Sequence, residues 1–171
     1  MTTPDVSRFR HDPAHVADER TMYQGWLDFH RGTLLWKGAG LTDDQLKTAS
    51  VRPSSMTLLG LLRHMAEVER WWFRVKAAGL TLPDLYPPGD DEDGDFDNVS
   101  DAVAEQDVAT FTAECLAADE AVRAMSLDDT FDGRNGPISL RWVYVHMIEE
   151  YARHNGHADL LRERIDGATG D

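Results

Sequence analysis

The chain has 171 residues, of which 42% are hydrophobic and 28% are charged, and its formal net charge is −14 at pH 7. This length and composition are typical of one soluble globular domain with a sizeable core. The strong negative charge argues against a nucleic-acid partner or an anionic membrane surface, because both require a basic patch. No stretch approaches the roughly eighteen apolar residues of a membrane-spanning helix.

Cys115 is the single cysteine of the chain. An intramolecular disulfide is therefore excluded, and a reducing compartment is favoured. The first residues, MTTPDVSRFRHDPAHVADER, contain neither the apolar run of a signal peptide nor the acid-poor, arginine-rich pattern of a transit sequence. We therefore expect a cytoplasmic protein.

The sequence predicts an N-terminal arm followed by a first long helix. Residues 1–16 show no clear period, and we expect them to lie over the surface. From there to about residue 36, apolar residues recur at helical spacing. Gly38 and Gly40 are expected to end this helix, and Thr42 is a suitable N-cap for a short helical turn in the LTDDQL segment that follows.

A second long helix is predicted from about residue 56 to residue 78, after Pro53 and two serines. Leu61 and Val68 belong to its apolar stripe. His64 lies three residues after the first of these and four before the second, so this histidine is predicted to face the core.

The second helix also carries three charged residues and an adjacent pair of tryptophans, of which Trp72 belongs to the apolar stripe. Glu67, Arg70 and Arg74 are expected to form a solvated charged face. Trp71 and Trp72 could stack a ligand, although at this spacing a core position is the more frequent role of an aromatic residue.

The composition changes between residues 79 and 98 to prolines and then to acidic residues. Residues 90–97 lack the ligand order of a calcium loop, so we interpret them as a solvated acidic connection. Ser100 is predicted to cap a third long helix that runs to about residue 125. Cys115 lies on the apolar seam of this helix and is predicted to be a buried hydrophobic residue, not a nucleophile.

A turn at residues 132–137, with no β-hairpin predicted, precedes the fourth long helix, which Ser139 caps and Gly167 ends. Four long amphipathic helices predict an all-α four-helix bundle at residues 17–167, followed by a tail at residues 168–171. The long acidic connection between helices two and three permits an overhand crossing.

The fourth helix carries His146, Glu150, His154 and His157 at positions where core leucines would be expected. Offsets of four, eight and eleven residues place all four side chains on one stripe of a helix. Burying an ionisable group without a partner costs roughly 1–3 kcal/mol or more. A divalent metal would satisfy these groups, whereas a hydrogen-bonded polar core without metal is the alternative.

Ligands that project inward from facing helices are a common way to build a metal site in a helical bundle. We predict that His64, Glu150 and His154 bind a divalent metal, with Zn²⁺ favoured and Ni²⁺, Fe²⁺ or Mn²⁺ also compatible. His146 or His157 could replace one of these ligands or support one of them. Three protein ligands leave an open position, which favours a catalytic site.

Two segments resemble a known family: LRHMAEVERWW at residues 62–72 and HMIEEYARHNGHADLLRE at residues 146–163. They are similar to the DinB-like superfamily, which includes mycothiol-dependent maleylpyruvate isomerases and bacillithiol S-transferases, and the resemblance covers about residues 17–167. It implies a four-helix bundle with an up-down-down-up course, a homodimer, and a divalent metal at His64, Glu150 and His154. His157 stands where many members have glutamine, which leaves open a fourth ligand or an altered substrate pocket.

The resemblance implies an enzyme that activates a low-molecular-weight thiol such as mycothiol and delivers it to a small electrophilic substrate. The reaction would be S-transfer or a thiol-assisted isomerisation, with His157 or His146 as a proton carrier. One alternative is a metal-dependent hydrolase. Another is a non-catalytic metal-binding bundle of a stress response, whose site would be closed by a fourth protein ligand such as His157.

Overall fold

The computed structural model of the protein describes residues 6–87 and 94–170. These residues are mainly helical, as predicted, and none of their helices is both long and apolar enough to cross a bilayer. A short 3₁₀ turn, Val6–Arg8, precedes the first helix. The helices are α1 (Glu19–Gly38), α2 (Asp43–Leu46), α3 (Leu58–Glu69), α4 (Gly94–Asp97), α5 (Ala104–Val122) and α6 (Leu140–Asp166), and the strands are β1 (Thr130–Gly133) and β2 (Gly136–Ser139).

The ends of α1 and α2 are set by local hydrogen bonds. The Asp18 side chain accepts from the backbone N–H of Thr21 at 3.1 Å and caps α1. After α1 the chain turns at Gly40, whose φ of 78° is accessible to glycine without strain. Thr42 and Gln45 exchange side-chain and backbone hydrogen bonds in a capping box, so the predicted cap of α2 is confirmed.

The second predicted helix is present but is not α-helical throughout. Thr57 caps α3 by accepting from the backbone N–H of Gly60 at 2.9 Å. Beyond Glu69 the chain continues as a π-helical segment, Arg70–Ala77. A π-helix has more residues per turn than an α-helix. The side chains of this segment are therefore rotated away from the positions that an α-helical period predicts for them.

The third predicted helix begins later than expected, and the prediction that Ser100 caps it is wrong. The helix α5 begins at Ala104, and the N-cap position is Val103, whose side chain cannot accept a hydrogen bond. The carboxylate of Asp43 in α2 instead accepts from the backbone N–H of Ala104 at 3.1 Å. A residue distant in sequence thus supplies the capping oxygen that periodicity assigned to a local serine.

The predicted turn before the fourth helix is the loop of a β-hairpin that was not predicted. Phe131 pairs with Ile138, and Gly133 pairs with Gly136 across a two-residue loop at residues 134–135. Gly136 has a φ of 124°, which disfavours any residue with a side chain. The loop residues do not form the asparagine–glycine pair typical of a two-residue hairpin, and strands of four residues gave little pattern in the sequence.

The fourth predicted helix is confirmed at both ends. Ser139 accepts from the backbone N–H of Trp142 at 3.2 Å and caps α6. Gly167 follows the last helical residue with a φ of 78° and ends the helix in the left-handed conformation. The result is one continuous helix of 27 residues that carries the polar stripe predicted from the sequence.

The long helices pack against one another around a buried ion network. The helix α1 packs along α6, whereas α3 packs against both α5 and α6. Arg31 and Glu69 are fully buried and form two hydrogen bonds of 2.7 Å, and the Tyr151 hydroxyl donates to the same carboxylate at 2.8 Å. Asp28 and Asp119 each lie 2.9 Å from a third nitrogen of the guanidinium. This Arg31 network therefore links α1, α3, α5 and α6.

The prediction that Cys115 is buried is confirmed, because its side chain is inaccessible to solvent. Burial, together with the nearby Glu69 carboxylate, raises the pKa of the thiol well above its usual value. A buried protonated thiol is a poor nucleophile.

Candidate metal centre

The four polar residues predicted on the fourth helix lie along one side of α6. His154 is buried, whereas His146, Glu150 and His157 are half-buried. Glu149, which is one residue off this stripe, is exposed. The stripe therefore faces the interior most closely at His154.

The structure brings His64 of α3 next to His154 of α6. Their ring centroids are 5.0 Å apart, and the two rings meet edge to face at 65°. The ring of His157 lies 5.4 Å from that of His154. Residues separated by 90 positions in the sequence thus come together because α3 and α6 are in contact.

Glu150 lies between two imidazoles. Its Oε1 atom is 3.6 Å from Nε2 of His146, and its Oε2 atom is 3.5 Å from Nε2 of His154. Both distances are longer than an ordinary hydrogen bond. Arg153 also approaches this carboxylate, with Nη1 3.4 Å from Oε2. The Glu150 carboxylate can therefore interact with either histidine.

The predicted ligand set is not the most compact group of candidate ligands. In the described part of the chain, His146, Glu149 and Glu150 each offer one ligand atom within 4.8 Å of the others. Glu149, however, is exposed and forms an ion pair with Arg153. An exposed and already paired carboxylate is a weaker candidate than the more buried imidazoles of His64 and His154.

Two buried imidazole nitrogens near this centre are chemically compatible with a bound metal. Nδ1 of His154 and Nδ1 of His157 are buried and have no hydrogen-bond partner. Burial, and then the proximity of His64 and His157, lowers the pKa of His154 to about 4. His154 is therefore neutral near pH 7, which is the form that binds metals. Imidazole nitrogens together with a carboxylate oxygen fit a divalent transition metal.

Asp95 and Phe96 of α4 cover the ring of His64. The Asp95 Oδ2 atom is 2.8 Å from Nδ1 of His64, and the Phe96 ring stacks on the imidazole with centroids 4.1 Å apart. Burial raises the pKa of Asp95, but the hydrogen bond and charge of His64 outweigh it, so that this pKa lies below its usual value.

The prediction of a solvated acidic connection is therefore wrong for Asp95, which is half-buried. Residues 90–93 of that predicted connection lie outside the described residues. No periodic pattern marks Asp95 in the sequence, because its partner His64 lies 31 residues away on another helix.

Two tryptophans lie beside His146. The Trp142 ring stacks on the imidazole at 4.8 Å and 14°, and the Trp72 ring meets it edge-on at 4.9 Å. Trp72 and Trp142 contact each other at 5.3 Å, and 46% of Trp142 is exposed. Trp71, in contrast, is 45% exposed and lies over the ammonium group of Lys76. Of the adjacent pair, Trp72 is thus the one next to the site.

The predicted solvated face of the second helix is a set of specific contacts instead. A carboxylate oxygen of Glu67 accepts from the backbone N–H groups of residues 85 and 86 at 2.7 and 3.2 Å. Arg70 and Arg74 form ion pairs of 2.7 and 2.6 Å with the buried carboxylate of Glu114 in α5. The Glu67 contacts hold residues 85 and 86 of the connection against α3, and the arginine contacts hold the π-helical segment against α5.

The family model described as Mycothiol-S-transferase matches residues 22–167. The chain belongs to this family. The Mycothiol-S-transferase family is part of the DinB-like superfamily, which confirms the resemblance identified in the sequence. The match spans α1 to α6 and includes His64, Glu150 and His154. Comparison with curated proteins and with solved structures gave no significant match.

Proposed function

We propose that this member of the Mycothiol-S-transferase family transfers the sulfur of a low-molecular-weight thiol, mycothiol, to a small electrophile. His64, Glu150 and His154 would hold a divalent metal, with Zn²⁺ favoured over Ni²⁺, Fe²⁺ or Mn²⁺. The observation that supports this site best is the meeting of α3 and α6. There the His64 and His154 rings are 5.0 Å apart, and a Glu150 oxygen is 3.5 Å from the latter.

Three protein ligands leave one coordination position for the substrate thiol. A divalent cation bound there would lower the pKa of the thiol, so that the sulfur is present as a thiolate. His64 and His154 come from two long helices and are therefore held by rigid backbone. Glu150 adds a negative charge that offsets part of the charge of the cation.

The reaction also requires proton transfer. The thiol loses its S–H proton, and a sulfur–carbon bond forms while either a leaving group departs or an electrophilic double bond takes up a proton. We assign the proton-carrier role to His146, which is half-buried and lies 3.6 Å from Glu150. His157, with its unpaired Nδ1 atom beside His154, is the second candidate as a proton carrier or as a further ligand.

The aromatic pair Trp72 and Trp142 supports a position for the electrophilic substrate. Both rings contact His146, and nearly half of Trp142 is exposed. Aromatic side chains bind the apolar parts of small ligands well. The electrophile would then lie between this aromatic surface and the thiolate.

The architecture and setting of the enzyme are part of the same proposal. The packing of α1 on α6, and of α3 on α5 and α6, supports a four-helix bundle. The up-down-down-up course and a homodimer follow from the family resemblance, and light scattering of the purified protein tests the dimer. The use of a reduced thiol fits the predicted cytoplasmic location.

Metal analysis of purified, tag-free protein tests the proposed site. We expect about one divalent metal per chain, and a large loss of metal in His154→Ala and His64→Ala. His11→Ala and His15→Ala are matched controls, because both histidines are exposed and lie in the N-terminal arm. Equal metal content in all four variants, or no metal in the wild-type protein, would contradict the assignment.

Turnover of an activated aryl halide with mycothiol, glutathione, cysteine or no thiol tests the proposed reaction. We expect turnover that requires both mycothiol and metal. Hydrolysis without any thiol would identify a metal-dependent hydrolase instead. Stoichiometric metal with four protein ligands and no turnover would identify a non-catalytic metal-binding protein.

A further inference from the structure

The helix α4 brings a carboxylate to one ring nitrogen of His64. Oδ2 of Asp95 is 2.8 Å from Nδ1 of His64. An ionised carboxylate can only accept hydrogen bonds, so in the neutral imidazole Nδ1 carries the proton and Nε2 carries the lone pair. We infer that Asp95 is a positioning residue that fixes His64 in the tautomer and orientation required for metal binding. This inference rests on the proposed metal site.

The neighbouring residue holds the same imidazole from its face. The Phe96 ring stacks on His64 with an interplanar angle of 23° and centroids 4.1 Å apart. It also lies 6.0 Å from the ring of His154. Asp95 therefore restrains the His64 ring through its edge while Phe96 restrains it through its face, and both side chains come from one turn of α4.

This turn is itself anchored to α3. Nε of Arg63 donates to the carbonyl oxygen of Asp95 at 3.2 Å, and the second carboxylate oxygen of Asp95 accepts from the backbone N–H of Phe96 at 3.1 Å. Gly60 permits the close approach, because a Cβ there would lie less than 3.0 Å from the Phe96 carbonyl oxygen. Asp95 is thus built into a packed contact, unlike a solvated acid on a loop.

Histidines that bind metals usually donate their other ring N–H to a carboxylate or a carbonyl group. This contact orients the ring and makes the ligating nitrogen more basic. Asp95 stands in that relation to His64 and comes from the far end of the connection between the π-helical segment and α5. Part of this connection therefore contributes to the metal site.

Zinc affinity tests the role of Asp95. Metal-free wild-type protein and its Asp95→Ala, Asp95→Asn and Asp97→Asn variants would be titrated with Zn²⁺ against a chromophoric chelator. We expect Asp95→Ala to bind about 10- to 100-fold more weakly. The matched control Asp97→Asn changes an exposed carboxylate two residues away and should bind like wild type. Circular dichroism would check that each variant is folded.

The tautomer of His64 gives a second readout that needs neither metal nor activity. Long-range ¹H–¹⁵N spectra of metal-free protein should show the proton on Nδ1 in wild type and Asp97→Asn, and a mixture of tautomers in Asp95→Ala. Asp95→Asn retains an accepting oxygen, so it should keep the tautomer and lose less affinity than Asp95→Ala.

Two results would overturn the inference: a His64 proton on Nε2 in wild type, or equal zinc affinity in Asp95→Ala and Asp97→Asn. If wild-type protein binds no Zn²⁺, the proposed function itself fails and the inference fails with it. If wild type binds Zn²⁺ and Asp95→Ala binds it equally well, only the inference fails.

Discussion

Substitution of Arg31 by methionine should destabilise the protein strongly. Arg31 and Glu69 are both inaccessible to solvent, and the substitution leaves the Glu69 carboxylate buried without a cation. Removal of one partner of such a pair costs about 3–5 kcal/mol. The guanidinium also contacts Asp28 and Asp119, so three carboxylates lose the same partner. We therefore expect a cost in the upper half of this range.

Urea and thermal unfolding of metal-free protein would measure this cost. For a chain of 171 residues, an unfolding entropy of about 2.1 cal/mol/K per residue converts 3–5 kcal/mol into a midpoint roughly 8–14 °C lower. Arg123→Met is the matched control, because Arg123 is exposed and its ion pair with Glu120 is solvated. A loss below about 1 kcal/mol for Arg31→Met would refute the assigned role of the network.

A double variant separates the loss of the ion pair from the cost of the negative charge that remains buried. Arg31→Met combined with Glu69→Gln removes the buried negative charge and keeps an oxygen that can accept from the Tyr151 hydroxyl. We expect the double variant to be more stable than Arg31→Met alone, since much of the cost of breaking a buried pair comes from the remaining charge. If the stability lost in the double variant equalled the sum of the losses in the two single variants, this explanation would be contradicted.

Two further predictions concern packing and pH. Gly60→Ala should cost about 1–3 kcal/mol, because the new methyl group would displace the Phe96 carbonyl, whereas Gly156→Ala, with open space around it, should stabilise α6 by up to ~1 kcal/mol. Equal thermal unfolding midpoints for these two variants would contradict this prediction. Burial raises the pKa of Glu114, but two arginines lower it by a larger amount, so this pKa lies below its ordinary value. The ionised carboxylate therefore stabilises the fold at any pH above the ordinary pKa. This contribution is lost as the pH falls through the folded-state pKa. Glu114→Gln should therefore be less stable at neutral pH and lose less stability on acidification than the exposed control Glu120→Gln, and parallel stability profiles would exclude this role.

Features that depend on the spacing of residues within one helix could be predicted from the sequence. The stripe from His146 to His157 follows from the helical period, and the caps at Thr42 and Ser139 follow from local side-chain chemistry. His64 was predicted to face the core for the same reason, because it lies beside the apolar stripe of its helix. Its distance from His154 is a property of how two helices pack, which the sequence does not encode locally.

Features that depend on distant partners were missed or wrong. Asp95 carries no periodic signal, and its burial follows from contact with α3. Ser100 is a good N-cap by type, yet Asp43 supplies that oxygen from another helix. Glu67 was predicted to be a surface residue. Its partners are backbone N–H groups of the connection, which lie about eighteen residues further along the chain and leave no pattern in the sequence.

The position of Cys115 has a practical consequence for assays that use electrophiles. Its side chain is inaccessible and its thiol is held protonated, so the folded chain should not consume the electrophiles offered to it as substrates. Alkylation of Cys115 then requires that the helices around it separate. The rate at which a maleimide labels this residue thus reports how often the core opens, without any introduced probe.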